Sequence, residues 1–185
     1  MIRFALLAFL VGLASGCAQM APRYNPSVEN IQVLRDSGAG KVRVGTFEAK
    51  LAEGQNNEAI SLRGASMGSP YGGKYTTYIE EAIRSELGSA RLLDDKANVE
   101  IGGVLMKNDV SVGNITTGYG EIEVRVIVRR GSQVRFDKVK YTKSTFETGF
   151  VGATAVGAGT RAYPDLVQKL IGMLFADPDF IAALR

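Results

Sequence analysis

From Gly120 to Arg130 apolar and polar residues alternate, with Ile122, Val124, Val126 and Val128 on one face and Glu121, Glu123, Arg125, Ile127 and Arg129 on the other. That period of two predicts a half-buried antiparallel strand with one wet face. Upstream, Asn98–Val112 also alternates, but Val99, Ile101 and Leu105 oppose Val104 and Met106, so both faces are partly apolar. Downstream, Gly131-Ser132 predicts a hairpin into a strand where Val134 and Phe136 share a face while Val139 and Tyr141 are out of phase. A bulge near Asp137-Lys138 would bring them back into register. A first strand is expected over Lys41–Glu48, brief extended pieces at Ile60–Leu62 and Arg91–Leu93, and loop between.

Two stretches switch to the helical period. Tyr75, Tyr78, Ile79, Ala82, Ile83 and Leu87 form one apolar stripe, with Glu80, Glu81, Arg84, Ser85 and Glu86 expected on the wet side and Glu80–Arg84 as an i,i+4 pair. From Pro164, well placed in a first helical turn, Leu166, Val167, Leu170, Ile171, Leu174 and Phe175 form a second stripe. Asp177-Pro178 then predicts a capped terminal helix carrying Phe180, Ile181 and Leu184. Phe150–Gly159, rich in Gly and Ala, follows neither period. The order is β-α-β-β-β-α-α. It implies an α/β (α+β) domain over residues 41–185, with an antiparallel or mixed sheet of four to five strands and two amphipathic helices on one face. Residues 17–40, with Pro22, Pro26 and the cluster Asp36–Gly40, read as a flexible tether, with Val28, Ile31, Val33 and Leu34 a candidate short docking piece within it.

Composition narrows the chemistry. The chain has no histidine, no tryptophan and one cysteine, Cys17. Without histidine there is no Ser-His-Asp or Cys-His nucleophile, and the usual zinc sets are excluded. Charge is close to balanced, 22 basic against 19 acidic residues, which gives no global field for nucleic acid. Gly68–Lys74 matches Gly-x-x-x-x-Gly-Lys, but Tyr75 stands where a P-loop needs a hydroxyl for magnesium, so no nucleotide is expected. Gly157–Ala162 fits a dinucleotide fingerprint without the strand context, and reads as close packing of small residues. The carboxylate pairs Asp94/Asp95, Glu121/Glu123 and Asp177/Asp179 raise a glycoside-hydrolase alternative, which needs two carboxylates across one cleft. Lys74 and Tyr71 at the helix start, and Arg125, Arg129 and Lys140 on the basic strands, are candidate contacts for an anionic molecule or partner. No metal site and no cofactor is expected.

The first seventeen residues carry a different signal. Arg3 precedes an uncharged apolar run, Phe4–Leu13, that ends in Leu13-Ala14-Ser15-Gly16-Cys17. The run is too short for a spanning helix and has the layout of an export signal. Small residues directly before a cysteine resemble the lipobox of bacterial lipoproteins. The resemblance implies cleavage between Gly16 and Cys17, a diacylglyceryl thioether on Cys17 and acylation of its amino group. It also implies retention in the inner membrane when Asp follows the cysteine; here Ala18 follows, which points to the outer membrane with the domain in the periplasm. The element order and the ending Asp177-x-x-Phe180-Ile181 resemble small envelope lipoproteins of the YajG type. The expected function is that of a non-enzymatic, membrane-anchored accessory in envelope assembly, maintenance or transport, working through protein contacts. The alternative is a binding module for an anionic lipid, lipopolysaccharide or peptidoglycan.

Overall fold

A computed structural model describes residues 18–114 and 116–185, so the lipobox lies outside the described residues. The fold is mixed α+β, as the patterning predicts. Its main sheet contains β2 (Val42–Ala49), β5 (Val99–Ser111), β6 (Thr117–Arg130) and β7 (Gln133–Glu147), in the order β2-β5-β6-β7. β2 runs parallel to β5, and β5-β6-β7 is an antiparallel meander. The parallel pair needs a crossover, and α2 (Tyr75–Ser89) supplies it. α3 (Gly152–Phe175) lies beside α2 on the same sheet face, where Tyr75 and Tyr78 of α2 pack on Tyr163 of α3 at ring-centroid separations of 5.1 and 5.0 Å. Ile122, Val124, Val126 and Val128 are buried beneath the helices, as their alternation requires. The terminal helix α4 (Pro178–Ala183) is capped by the Asp177 side chain, which accepts from the amide of Asp179.

Several expectations need correction. Residues 18–36 do not form a tether. β1 (Ala18–Met20) joins β3 (Ala59–Leu62) and β4 (Ala65–Gly68) in a second sheet, order β1-β4-β3. Ala21, Tyr24 and Leu34 are buried, and α1 (Val28–Asp36) is N-capped by the Ser27 side chain. The reason is long-range satisfaction: beyond the local cap, Tyr24, Ser27 and Asn30 bond to Glu86 of α2, and Asn30 also to Gln168 of α3. The Gly/Ala stretch is also helical, so α3 begins at Gly152 and Pro164 lies inside it. Small residues are used there for contact, since a Cβ on Gly159 would come within 2.9 Å of Val112 Cγ1.

The β6–β7 register shift falls between Val128 and Arg129, opposite Phe136 and Val134, not at Asp137-Lys138. Val139 and Tyr141 consequently stay on the outer face, 49% and 42% exposed. Glu86 is fully buried rather than wet. Glu80 accepts from the Phe47 amide at 2.7 Å where β2 bulges, and Arg84 pairs with Asp95 instead of Glu80.

Candidate functional site

The loop before α2 is built as its glycines suggest. Gly72 and Gly73 have φ of +61° and +75°, which lets the chain turn sharply into Lys74, the extended N-cap residue. The helix N terminus is occupied, however. The Tyr75 amide donates to Asn57 O at 2.8 Å and the Thr76 amide to Asn57 Oδ1 at 3.0 Å. An incoming anion would have to displace Asn57. Tyr71 faces inward: its hydroxyl accepts from the Tyr24 amide at 3.0 Å and its ring packs edge-on against Tyr78. Lys74 and Tyr71 therefore share a loop without sharing a pocket.

The basic strand residues are separated by the pleat. Arg125 faces the outer side, where both of its ends bond to Asp137 at 2.6 Å. Arg129 lies on that outer face too, four residues along. Lys140 projects to the opposite face and pairs with Asp177 at 2.7 Å. Lys138 reaches Asp177 as well, at 3.0 Å, and the two lysines, Lys140 foremost, hold its carboxyl well below the ordinary carboxylate range. Glu121 sits between Lys107 and Lys143, whose hydrogen bonds, that of Lys107 foremost, pull its pKa down from 4.5 to about 2. Asp95 is held by Arg84, and Asp179 by Lys138. Asp95, Glu121, Asp177 and Asp179 are thus ion-paired, and Asp177 and Asp179 converge on the Lys138 Nζ, at 3.0 and 2.7 Å, a cation that neutralises both.

What the patterning missed is a buried polar clamp. Glu86 Oε1 accepts from the Tyr24 hydroxyl at 2.5 Å, the Ser27 amide at 3.0 Å and Asn30 Nδ2 at 3.1 Å. Asn30 Nδ2 also reaches Gln168 O of α3 at 3.3 Å. Burial, reinforced by the adjacent Glu86 carboxylate, pushes the Tyr24 phenol far above its usual range, so it serves as a donor. The clamp joins the first described segment to both long helices. One sequence signal could have found it: Glu86 falls eleven residues after Tyr75, on the apolar stripe itself.

An open groove of about 850 Å³ lies at the end of the main sheet that carries the β6–β7 turn. Lys41, Arg43, Lys96, Arg130 and Arg185 line it, with Asp95 as the acidic member. Several of these cations are partly committed. Arg43 pairs with Glu100 at 2.7 Å, Lys41 donates to Arg91 O, and Arg130 donates to Arg185 O. The residues come from β2, the loop before β5, the end of β6 and the C-terminal arginine, so no local run of sequence announces the groove. Chemically it offers several hydrogen-bond donors and a positive field.

Among the described residues no helix is long and apolar enough to cross a membrane. No family model matches the chain, and no curated protein matches it significantly. Solved structures do resemble it. Protein XCC0632 from Xanthomonas campestris, described as family DUF330, has a TM-score of 0.56 at 11% identity, over 86% of this chain and 95% of that one. The hypothetical protein CT253 from Chlamydia trachomatis has a TM-score of 0.43 at 9% identity, over 75% of this chain and 96% of that one. At such identities the first likeness speaks to the fold alone.

Proposed function

We propose that the protein is a bacterial lipoprotein, anchored through Cys17 and working as a non-enzymatic accessory in envelope assembly, maintenance or transport through contacts with other envelope proteins. The observation that carries this reading is Leu13-Ala14-Ser15-Gly16-Cys17 at the end of a short apolar run, one residue before a folded domain. Two acyl chains suffice for stable anchoring, and the modified cysteine of this class carries up to three. Ala18 in place of Asp favours the outer membrane, with the domain in the periplasm. The test is Cys17→Ser. Wild type is expected to lose residues 1–16 and gain the mass of acyl groups on intact-protein mass spectrometry, while the variant accumulates as a mislocalised precursor. Processing and sorting of C17S like wild type would sink the proposal.

A second reading, a module binding an anionic envelope molecule, is favoured by the groove of Lys41, Arg43, Lys96, Arg130 and Arg185. It predicts salt-sensitive binding of phosphorylated lipopolysaccharide core oligosaccharide that Lys96→Ala with Arg130→Ala abolishes. Equal binding by that double variant would exclude the groove.

A further inference from the structure

β1 runs parallel to β4, with Ala18 opposite Ser66 and Met20 opposite Gly68. β4 starts directly after the turn Arg63-Gly64, where both residues have positive φ. The chain therefore comes into β1 from the side of that turn, and a single peptide bond, ~3.8 Å between Cα atoms, links Ala18 to Cys17. Two other loops meet at the same end. Arg63 donates to Phe150 O at 3.3 Å, Gly113 O at 3.1 Å and Asn114 O at 3.4 Å. The Thr148 hydroxyl donates to Asn114 O at 3.1 Å and its amide to Thr116 O at 3.0 Å. One arginine thus ties the β3–β4 turn, the β5–β6 loop and the segment leading into α3 into a single tip.

Beside the exposed Arg63, Asn114 and Thr116, that tip carries an apolar patch. Phe150 is 78% exposed and Val151 62% exposed, side by side just before α3. Gly152, Ala153 and Thr154 continue the exposed surface, and the first turn of α3 carries no acidic residue. Across Thr148–Thr154 there is no charged residue, and Arg63 is the cation that braces the tip. The β6–β7 turn at Gly131 lies at the other end of the main sheet, separated by the length of the 13-residue strand β5, about 40 Å at ~3.3 Å per residue.

We propose that the tip formed by Phe150 and Val151 rests in the interface of the phospholipid bilayer that carries the Cys17 anchor, fixing the domain upright with its basic groove turned away from the membrane. The proposal rests on the lipoprotein reading above. Exposed apolar residues beside the point where the chain leads to a lipidated cysteine have one surface within reach at all times, the bilayer. An exposed phenylalanine and valine on a tightly braced loop suit the headgroup–acyl boundary.

The chain contains no tryptophan, so one introduced indole reports without background. Phe150→Trp and, as the distal control, Val134→Trp are made in the full-length exported protein. Each is reconstituted into phosphatidylethanolamine–phosphatidylglycerol vesicles with and without brominated acyl chains. The expected result is a blue-shifted emission for F150W, strongly quenched by brominated lipid, with V134W unshifted and unquenched. Intact mass on the same samples reads the acyl groups on Cys17. Acylated protein with F150W quenched no more than V134W overturns the docking and leaves the anchor standing. Protein without acyl groups overturns the lipoprotein reading and the docking with it. Phe150→Asp with Val151→Asp, at positions too exposed to be needed for folding, is expected to abolish the quenching of a tryptophan placed at Ala153 while acylation continues. Quenching that survives the two aspartates contradicts the assignment of the tip.

Discussion

Glu86→Leu should release residues 18–36 from an otherwise folded domain. Leucine roughly conserves volume, so the main effect is chemical: three donors, the Tyr24 hydroxyl, the Ser27 amide and Asn30 Nδ2, lose their shared acceptor. Hydrogen bonds to a charged acceptor are each worth ~1.5–3 kcal/mol, and stranding buried donors costs more than removing both partners. Part of that is recovered because Glu86 Oε2, itself buried, has no partner among the described residues. A net cost of ~2–4 kcal/mol is reasonable for a three-donor network that does not add linearly. All three donors lie in one segment, so the cost should appear as local opening, raising the opening constant of residues 18–36 by roughly thirtyfold to a thousandfold. Hydrogen exchange read by mass spectrometry measures this directly, comparing the peptide over residues 18–37 with peptides from β5 and β6. Tyr24→Phe should give a smaller rise in the same peptide, and Glu86→Gln, which keeps an acceptor oxygen, the smallest of the three. If exchange over residues 18–37 stays within about threefold of wild type, or rises equally in β5 and β6, Glu86 is not a local clamp.

Glu121 makes a pH prediction. Its pKa is depressed from 4.5 to about 2, so it contributes stability above pH 4.5 that is lost as the pH falls towards 2. The shift sets a ceiling of ~3.4 kcal/mol, and because Lys107 and Lys143 are themselves partly in water the realised value should be ~1–2 kcal/mol. Urea unfolding should show Glu121→Gln less stable than wild type by that amount at pH 6, with the gap closed near pH 2; a gap that persists there would refute the ion pair as its cause. Gly103→Ala should destabilise by ~1–3 kcal/mol, lowering the melting temperature by roughly 3–10 °C, because the added Cβ meets the Arg125 carbonyl and the Phe47 ring at 2.8 Å. A melting temperature within a degree of wild type would mean that the β5–β6 backbone yields there.

The elements legible in the sequence are those whose burial is decided by their own period. β6 alternates because its helix-covered face is apolar and its outer face carries Glu121, Glu123, Arg125 and Arg129; α2 shows its stripe because Tyr75, Tyr78, Ile79, Ala82, Ile83 and Leu87 pack together. What stayed hidden depends on distant partners. β1 has three residues and is ordered by β4, 48 residues later in register. α1 has one fully buried leucine and is held by Asn30 and Ser27 reaching Glu86. The first half of α3 contains Gly152, Gly157 and Gly159, poor helix formers overridden where Gly159 fits against Val110 and Val112. The basic strand residues misled for a related reason: sequence proximity groups Arg125 with Lys140, while the pleat sends them to opposite faces, each to its own carboxylate. The basic groove was invisible because its cations are spread from Lys41 to Arg185.

The docking of residues 18–36 changes what the proposed anchor can do. A free spacer of ~20 residues could extend ~60–70 Å and let the domain tumble away from the bilayer. On the proposed anchoring at Cys17, β1 begins one residue later, so that freedom would be gone and the length of β5, about 40 Å, would set the height of the basic groove above the membrane. The energies divide accordingly. Phe150 and Val151 offer at most ~1.5–3 kcal/mol each on burial, too little to hold a protein at a surface, whereas acyl chains contribute ~0.8 kcal/mol for every methylene. On the proposed anchoring, the lipid would retain the domain and the tip would only select its orientation, a task that needs no more than a few kcal/mol once the chain cannot leave. An upright domain of fixed height can meet a partner only when that partner's own surface lies at the same distance from the membrane. Selectivity in such a protein then comes as much from this geometric match as from the chemistry of Lys41, Arg43, Lys96, Arg130 and Arg185 in the groove.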